Sequence, residues 1–253
     1  MAKKATKASI EHINLPVRSV QAIQTTKYPL NNGGISRSCY GGFNLGLHVN
    51  DNKSEVETNR LSLLKALPEN SQIQWLEQTH SNSVIVAENL ISPSPSADAI
   101  ITRTPHLALA IMTADCLPIL LSNTKGNEIA AIHCGWRSTV NNIISNTLDK
   151  MVSKPYEVVA WLGPCISQHH FEVGEEVIKA FLSQDARLAS FFIQNNAFKY
   201  QADLPGIATF LLKAAGVTSI IQTSQCTYSN NEKYYSYRRN KVTGRMASLI
   251  CIK

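Results

Sequence analysis

Two residues in the middle of the chain, Cys116 and His133, have side chains of types that do chemistry together. A thiol and an imidazole that meet can bind a metal ion, or they can act as a nucleophile and its general base. The same pair can also be purely structural, as a buried thiol beside a hydrogen-bonded histidine. Which of these hypotheses is right depends on where the secondary-structure elements place the two residues and on the segment that connects those elements.

Short apolar runs bounded by turn-type residues surround both positions, and they are too short for helices. The runs are Leu107–Met112, Leu117–Leu121 and Ile129–Ile132. This pattern predicts buried strands. A hairpin return through Asn123–Asn127 would bring Cys116 and His133 to the same end of a sheet.

His80 is a third candidate. It lies in the polar segment 78–82, between strands predicted over Gln72–Glu77 and Ser83–Ala87. Two imidazoles and one thiolate suit Zn²⁺, and three protein ligands leave a fourth position for water or substrate. Because no tight spacing joins the three residues, their types alone do not decide between a zinc site and a Cys–His pair.

Arg60 lies in a helix that is predicted to open with a capping box, Ser54 to Glu57, and to run to about Ala66. The apolar face of this helix consists of Val56, Leu63, Leu64 and Leu67. Arg60 falls on that face, and an inward guanidinium needs an anionic partner. We therefore expect Arg60 either to pair with a carboxylate or to reach a ligand.

The remaining pattern predicts one α+β domain over residues 13–253, preceded by a flexible arm over residues 1–12. Further strands are predicted over Ala22–Thr26, Glu157–Leu162, Ser219–Gln222 and Ala247–Ile252. Further helices are predicted over residues 140–152, Gly174–Leu182 and Ile207–Ala215.

Composition narrows the class of protein. The chain has 253 residues, 44% hydrophobic and 17% charged, with no apolar run near the roughly 20 residues of a membrane helix. The lysine-rich start lacks the apolar core of a secretory signal, so we expect a cytoplasmic protein. Six cysteines without a CxxC pair indicate free thiols rather than a disulfide framework.

The net charge of +6 has two main sources, the lysine-rich start and a basic cluster over residues 238–245. Since aromatic and basic residues do not alternate on one predicted face, we expect an anionic small substrate and no nucleic acid. The glycine-rich segment 31–46 has neither the dinucleotide fingerprint nor the P-loop spacing.

Several motifs occur together in order over roughly residues 30–252. They are NGGIS, FNLGLHVND, ETNR, QTHSNSV, ADAIIT, TADCLPILL, HCGWRS, GPCISQHHFEVGEEV and CTYSNNEKYYSYRRNKVTGRMASLICI. With these motifs the chain resembles the YfiH/laccase-domain family of purine nucleoside enzymes, whose members are also described as polyphenol oxidases. The resemblance implies mixed β-sheets flanked by helices in a single domain, similar to a toxin-deamidase fold.

The resemblance also implies an activity and a site. It implies a cytoplasmic zinc enzyme, here expected to be a monomer, that phosphorolyses adenosine, inosine, guanosine and methylthioadenosine and deaminates adenosine. Carried over by motif, the metal ligands and catalytic residues are His80, Cys116 and His133. Arg60 is a further catalytic candidate at the pocket, and Asn44 is expected to contact the substrate. Phosphate needs cations, and Arg60, Arg137 and the basic run over residues 238–245 are the candidates.

Two alternatives remain open. In a cysteine hydrolase or amidase, Cys116 is the nucleophile and His133 its base, and His80 has no necessary role. In a copper-dependent polyphenol oxidase Cu²⁺ replaces Zn²⁺, but multicopper chemistry needs more clustered histidines than this sequence predicts. Whether His80 is required therefore distinguishes the metal-site hypothesis from the Cys–His hypothesis.

Overall fold

The computed structural model describes residues 8–30, 36–196 and 198–253. Its strands are β1 (Ile10–Ile13), β2 (Val20–Thr25), β3 (Gln72–Gln74), β4 (Val84–Val86), β5 (Ala99–Thr102), β6 (Leu107–Thr113), β7 (Leu117–Asn123), β8 (Ile129–Cys134), β9 (Val158–Leu162), β10 (Glu172–Gly174), β11 (Phe192–Asn196), β12 (Lys199–Ala202), β13 (Ser219–Gln222) and β14 (Met246–Ile252). Its α helices are α1 (Lys53–Leu64), α2 (Trp136–Val140), α3 (Ile143–Lys150), α4 (Glu175–Leu182) and α5 (Leu204–Ala214).

The strands form two large mixed sheets and a small one. The five-stranded sheet has the order β1-β2-β14-β6-β3, and the six-stranded sheet has the order β13-β9-β7-β8-β5-β4. Pairing is antiparallel except for β3 with β6, β4 with β5, and β9 with β13, which are parallel. Strands β10, β12 and β11 form an antiparallel three-stranded sheet. The predicted single-domain α+β fold with mixed sheets is confirmed.

The two large sheets pack face to face because the central strands are apolar on both sides. In β6, Leu107, Leu109 and Ile111 contact the six-stranded sheet, where they meet residues such as Leu120 and Trp161. The alternate residues of β6 point the other way, as the two-residue period of a strand requires. A strand buried on both faces has to be continuously hydrophobic, which is why β6 appears in the sequence as an unbroken apolar run.

Helices cover the two outer faces. The outer face of the five-stranded sheet packs on α1 through Leu63. The outer face of the six-stranded sheet packs on α3 through Ile144 and Leu148, and on α5 through Ala208 and Leu212. None of the helices in the described part of the chain is long and apolar enough to cross a membrane.

The start of α1 differs from the predicted capping box. The N-cap is Asn52, whose side-chain oxygen accepts hydrogen bonds from the N–H groups of Ser54 (3.0 Å) and Glu55 (3.4 Å). Asparagine caps a helix as well as serine does, so the earlier residue takes the role and Ser54 becomes helical. The predicted position of the helix is otherwise confirmed.

Two other boundaries also differ from the prediction. The arm predicted over residues 1–12 is too long, because Ile10–Ile13 pairs with β2 as strand β1; residues 1–7 lie outside the described residues. The helix predicted over residues 140–152 is shorter and corresponds to α3 (Ile143–Lys150), because Asn142 directly before it adopts a left-handed backbone conformation with φ of 65° and separates it from α2. Residues 31–35 of the glycine-rich segment also lie outside the described residues.

The core between the sheets should dominate stability. Leu109 is completely buried there, whereas Leu61 on α1 is 65% exposed. We expect Leu109→Ala to lower the free energy of unfolding by about 2–5 kcal/mol, since it leaves a cavity. Leu61→Ala is the matched control and should change it by less than about 0.5 kcal/mol. Urea denaturation measures both, and equal effects would contradict the two-sheet packing.

Candidate metal centre

The structure brings His80, Cys116 and His133 together. One ligand atom from each residue lies within 4.8 Å of the others. His80 is in the turn between β3 and β4, Cys116 is in the turn between β6 and β7, and His133 is near the end of β8. Since β6 belongs to one large sheet and β7 to the other, Cys116 marks the point where the chain crosses between them.

The predicted hairpin positions two of the three side chains. Strands β7 and β8 pair antiparallel, with Leu117 opposite Cys134 and Pro118 opposite His133. This register places Cys116, which directly precedes β7, at the end of the hairpin where β8 finishes. The hairpin return through Asn123–Asn127 is therefore confirmed, and with it the expected closeness of Cys116 and His133.

Asp98, which was not predicted as a site residue, joins His80 to this hairpin. Its completely buried carboxylate lies 2.7 Å from His133 Nδ1. It also accepts hydrogen bonds from the N–H groups of Thr79 (3.2 Å), His80 (3.0 Å) and Ser81 (2.6 Å). The only sequence signal was an acidic residue between two alanines, directly before a buried strand, in the motif ADAIIT.

These contacts set the charge states at the centre. Burial alone would raise the pKa of Asp98, but its bond to His133 and those from Ser81 lower it to about 2. Burial opposes ionisation of His133 as well, yet the charges of Cys116 and Asp98 raise its pKa. Burial alone would raise the pKa of the Cys116 thiol. The charge and hydrogen bond of His133, followed by those of His80, outweigh this effect and lower it. These contacts therefore favour a Cys116 thiolate beside a His133 imidazolium that is hydrogen-bonded to the Asp98 carboxylate.

A glycine provides the space in which the three side chains meet. A Cβ atom on Gly135 would lie 3.0 Å from His80 Cδ2 and 3.2 Å from Cys116 Sγ. Any larger residue at this position would push His80 or Cys116 aside. Gly135 is also the N-cap of α2, so the helix begins directly beside the site.

The donor set fits a zinc-sized ion. Sγ of Cys116 lies 3.8 Å from Nε2 of His80. With typical bond lengths, two such atoms on one tetrahedral Zn²⁺ would be about 3.6 Å apart. Because Asp98 holds Nδ1 of His133, Nε2 of that ring remains for a metal, in the usual carboxylate–histidine–metal arrangement. Among the described residues this is the one group of three or more His, Cys, Asp or Glu side chains that could share an ion.

The centre opens into a pocket of about 410 Å³. Besides the three residues above, the pocket is lined by His48, Gln78, Met112, Thr113, Ala114, Arg137, Tyr237 and Arg245. Arg137, expected to contact substrate, is among them; its exposed guanidinium lies 4.5 Å from the Trp136 ring centre. Arg245 also lines the pocket, and it belongs to the basic run over residues 238–245 that was a candidate for phosphate. Tyr237, directly before that run, was not predicted.

Asn44 does not line the pocket. It is completely buried, donates a hydrogen bond to Asp51 (2.8 Å) and accepts one from the N–H group of Arg245 (2.8 Å). Its amide therefore holds the backbone of a pocket residue in place, which corrects the expectation that Asn44 contacts the substrate. The NLG motif is thus connected to the pocket through Arg245.

Arg60 is half-buried, but it has no carboxylate partner among its described hydrogen bonds. Its Nε donates to the carbonyl of Leu45 (2.9 Å), its NH2 group contacts Met112 Sδ (3.5 Å), and its guanidinium stacks on Trp75 at 3.9 Å. A carbonyl and an aromatic face thus take the place of the expected anion. Arg60 lines a neighbouring groove with Trp75 and supports the pocket wall behind Met112.

Asp115, next to Cys116, fixes the opposite wall. Its carboxylate accepts hydrogen bonds from the hydroxyl of Thr227 (2.6 Å), the hydroxyl of Ser236 (3.0 Å) and the N–H group of Arg238 (2.6 Å). Ser236 and Arg238 flank Tyr237, so Asp115 determines where that aromatic ring meets the pocket. These bonds make Asp115 a supporting residue of the turn that carries Cys116.

Together these features define a class of protein, a single-domain α+β fold with a candidate two-histidine, one-cysteine metal centre at the junction of two mixed sheets. The chain belongs to the family described as multi-copper polyphenol oxidoreductase laccase, whose model matches residues 25–253. Its curated relatives include proteins that bear the name YfiH, as the sequence motifs predicted.

The similarity extends over nearly the whole chain. Purine nucleoside phosphorylase YfiH of Shigella flexneri is 44% identical over 218 residues, covering 86% of this chain and 89% of that protein. The purine nucleoside phosphorylase of Haemophilus influenzae is 40% identical over 244 residues, covering 94% and 96%. The crystal structure of Neisseria meningitidis protein NMB0706 superimposes with a TM-score of 0.92 at 36% identity, covering 97% of this chain and all of that one.

The role of Asp98 can be tested by removing its charge. Asp98→Asn keeps the size of the side chain but turns an NH2 group toward donors, so His133 should lose its fixed orientation. We expect affinity for a divalent ion to fall by about 10–100-fold. Titration with Co²⁺, followed by its absorption spectrum, measures this loss.

Asp185→Asn is the matched control, because that carboxylate pairs with Arg187 on the surface. It should bind Co²⁺ as the unmodified protein does. Equal Co²⁺ affinity of Asp98→Asn and the unmodified protein would contradict the orienting role of Asp98.

Proposed function

We propose that this chain is a zinc-dependent purine nucleoside phosphorylase that also deaminates adenosine. The observation that carries the proposal is the convergence of His80, Cys116 and His133 at a pocket whose wall holds Arg137 and Arg245. Relatives named purine nucleoside phosphorylase, 40–44% identical over most of the chain, support the same activity. Adenosine, inosine, guanosine and methylthioadenosine are the proposed substrates.

Each of the three central side chains has a defined task in this proposal. His80, Cys116 and His133 would hold the ion, and the lowered pKa of Cys116 favours the thiolate form of its sulfur that metals bind. Zn²⁺ bound there would supply a Lewis acid at the pocket, suited to activating water or polarising a purine. The carboxylate of Asp98 is hydrogen-bonded to Nδ1 of His133, so Nε2 of that ring faces the site, where a bound ion would take the place of its proton.

The cations of the pocket wall suit the second substrate. Phosphorolysis moves the ribose of a nucleoside from the purine to phosphate, so the pocket must hold a doubly charged anion. Burial, followed by the charges of Arg245 and Arg60, lowers the pKa of His48 to about 4. His48 is therefore neutral at pH 7, and the positive charge on the wall comes from Arg137 and Arg245. We assign phosphate to these two arginines.

The predicted roles of Arg60 and Asn44 change in this proposal. Arg60 is bonded to Leu45 and stacked on Trp75, and Asn44 is bonded to the backbone of Arg245. Both residues therefore act through neighbours that shape the pocket. Arg60 is therefore proposed as a positioning residue, and Arg137 and Arg245 are proposed to bind phosphate in its place.

A cysteine hydrolase is the second candidate, because the thiolate of Cys116 beside the imidazole of His133 also resembles a nucleophile and its base. The geometry favours the metal site. His80 Nε2 lies 3.8 Å from Cys116 Sγ, and a Cys–His catalytic pair would give that nitrogen no role. Copper oxidation has less support. Among the described residues, the remaining histidines do not join the metal group, and a multicopper cluster would need them.

His80 gives the decisive test between zinc and Cys–His chemistry. We expect His80→Ala to lose bound zinc and most nucleoside turnover, because one of three protein ligands is gone. A strong chelator should inactivate the unmodified protein, and added Zn²⁺ should restore it. Metal analysis and product analysis with adenosine, with and without phosphate, measure these effects.

His106→Ala is a suitable control, because His106 lies on the surface before β6 and outside the pocket. It should keep its zinc and its activity. If zinc-free protein keeps full activity and alkylation of Cys116 abolishes it, then Cys116 is a nucleophile and the zinc mechanism is wrong.

Arg137 tests the phosphate assignment. Arg137→Gln removes a charged hydrogen-bond donor worth about 1.5–3 kcal/mol. We expect KM for phosphate to rise roughly 10- to 100-fold, while phosphate-independent deamination of adenosine changes little. Arg187→Gln, a surface arginine paired with Asp185, should leave both activities unchanged. An equal loss of both activities in Arg137→Gln would place Arg137 on the nucleoside instead.

A further inference from the structure

A second thiol–imidazole cluster lies outside the candidate metal centre. It consists of Cys226, His170, Ser167 and Ser229, and we refer to it as the Cys226 cluster. Nδ1 of His170 is 3.7 Å from Cys226 Sγ and lies within 3.1 Å and 3.4 Å of the two serine hydroxyls. The ring of His170 stacks on Tyr228 with centroids 4.6 Å apart, which fixes its position. None of these residues lines the pocket described above.

The sulfur of Cys226 is surrounded by hydrogen-bond donors. Backbone N–H groups of Ser167 (3.3 Å) and Ser229 (3.5 Å) both point at it. Donors of this kind stabilise a thiolate. Although burial alone would raise the pKa of Cys226, the hydrogen bonds from the two serines outweigh it and lower the pKa. The side chain is only partly buried, so small reagents in solution can reach it.

A second cysteine is the direct backbone neighbour of Cys226. Cys165 and Cys226 are opposite each other in an isolated parallel bridge, and the N–H group of Thr227 donates to the Cys165 carbonyl (3.0 Å). Neighbouring strands lie about 4.8 Å apart, within the range of roughly 4.4–6.8 Å between Cα atoms that a disulfide spans. Cys165 is buried, so it can be reached only from within the fold.

We propose that Cys226 is a peroxide-reactive thiol and that Cys165 resolves its oxidised form as a disulfide. The Cys226 thiolate attacks one oxygen of hydrogen peroxide, the O–O bond breaks, and the leaving hydroxide takes a proton to become water. Sulfur is oxidised by two electrons to sulfenic acid, and peroxide is reduced. The Cys165 thiol then attacks this sulfur, the S–O bond breaks, and a second water leaves as the disulfide forms.

Cys165 and Cys226 are connected to the candidate metal centre through short hydrogen-bonded paths. Thr227, directly after Cys226, donates its hydroxyl to Asp115, and Asp115 precedes Cys116. The N–H group of Ile166, directly after Cys165, donates to the Asp115 carbonyl (2.9 Å). A disulfide between residues 165 and 226 would therefore close beside the turn that carries Cys116.

Peptide mapping after peroxide treatment tests the proposal on the whole protein. Trypsin should place Cys165 in the peptide 151–179, Cys226 in 214–233 and Cys39 in 38–53. We expect low peroxide to join the first two peptides through a bond that a reductant cleaves. Cys39, which is exposed, is the internal control for accessibility alone. Its oxidation should be roughly tenfold slower or more.

Variants identify the roles of the two cysteines. Cys165→Ala should let the Cys226 sulfenic acid accumulate, so that dimedone, which traps sulfenic acids, labels that residue. Cys226→Ser should abolish the crosslink, and Cys39→Ser should leave it unchanged. Oxidation of Cys39 at the rate of Cys226, absence of the 165–226 crosslink in the unmodified protein, or absence of the dimedone adduct in Cys165→Ala would each overturn the proposal.

Discussion

The carboxylate of Asp98 is completely buried and charged, and this combination constrains everything around it. A buried charge costs several kcal/mol unless donors surround it. The chain supplies those donors from two separate places, the turn that carries His80 and the strand that carries His133. Neither element can shift without leaving the charge uncompensated, so the distance between the two histidines is fixed by electrostatics as much as by packing.

The third ligand depends on the sheets themselves. Cys116 lies where the chain leaves the five-stranded sheet and enters the six-stranded one, so its position follows from how the two sheets pack. Asp115 secures the same turn to the segment that carries Tyr237 and Arg245. The centre is therefore held by the apolar packing of the two sheets and by hydrogen bonds around it. Strands packed in this way position side chains at their ends more precisely than free loops do.

Elements whose pattern is local in the sequence could be predicted. Strands β6, β7 and β8 are continuous apolar runs between turn residues, and their hairpin followed from spacing alone. The surroundings of Asp98 and Arg60 were not predictable, because they depend on groups far away in sequence, such as the carbonyl of Leu45 beneath Arg60. The break between α2 and α3 rests on one residue, Asn142, in a conformation that hydrophobic periodicity does not report. The small sheet of β10, β11 and β12 was missed because its short strands carry little alternation.

Strand β14 lies late in the sequence yet occupies the middle of the five-stranded sheet, between β2 and β6. During synthesis, β2 and β6 emerge from the ribosome well before this partner, and the interval is on the order of ten seconds at ordinary elongation rates. Through that interval a long apolar strand has an unpaired edge, which is a hazard for association between nascent chains. Arg245 directly precedes β14, so the pocket wall is complete only when that strand inserts. Until β14 inserts, a nascent chain therefore has both an unprotected edge on β6 and an incomplete pocket.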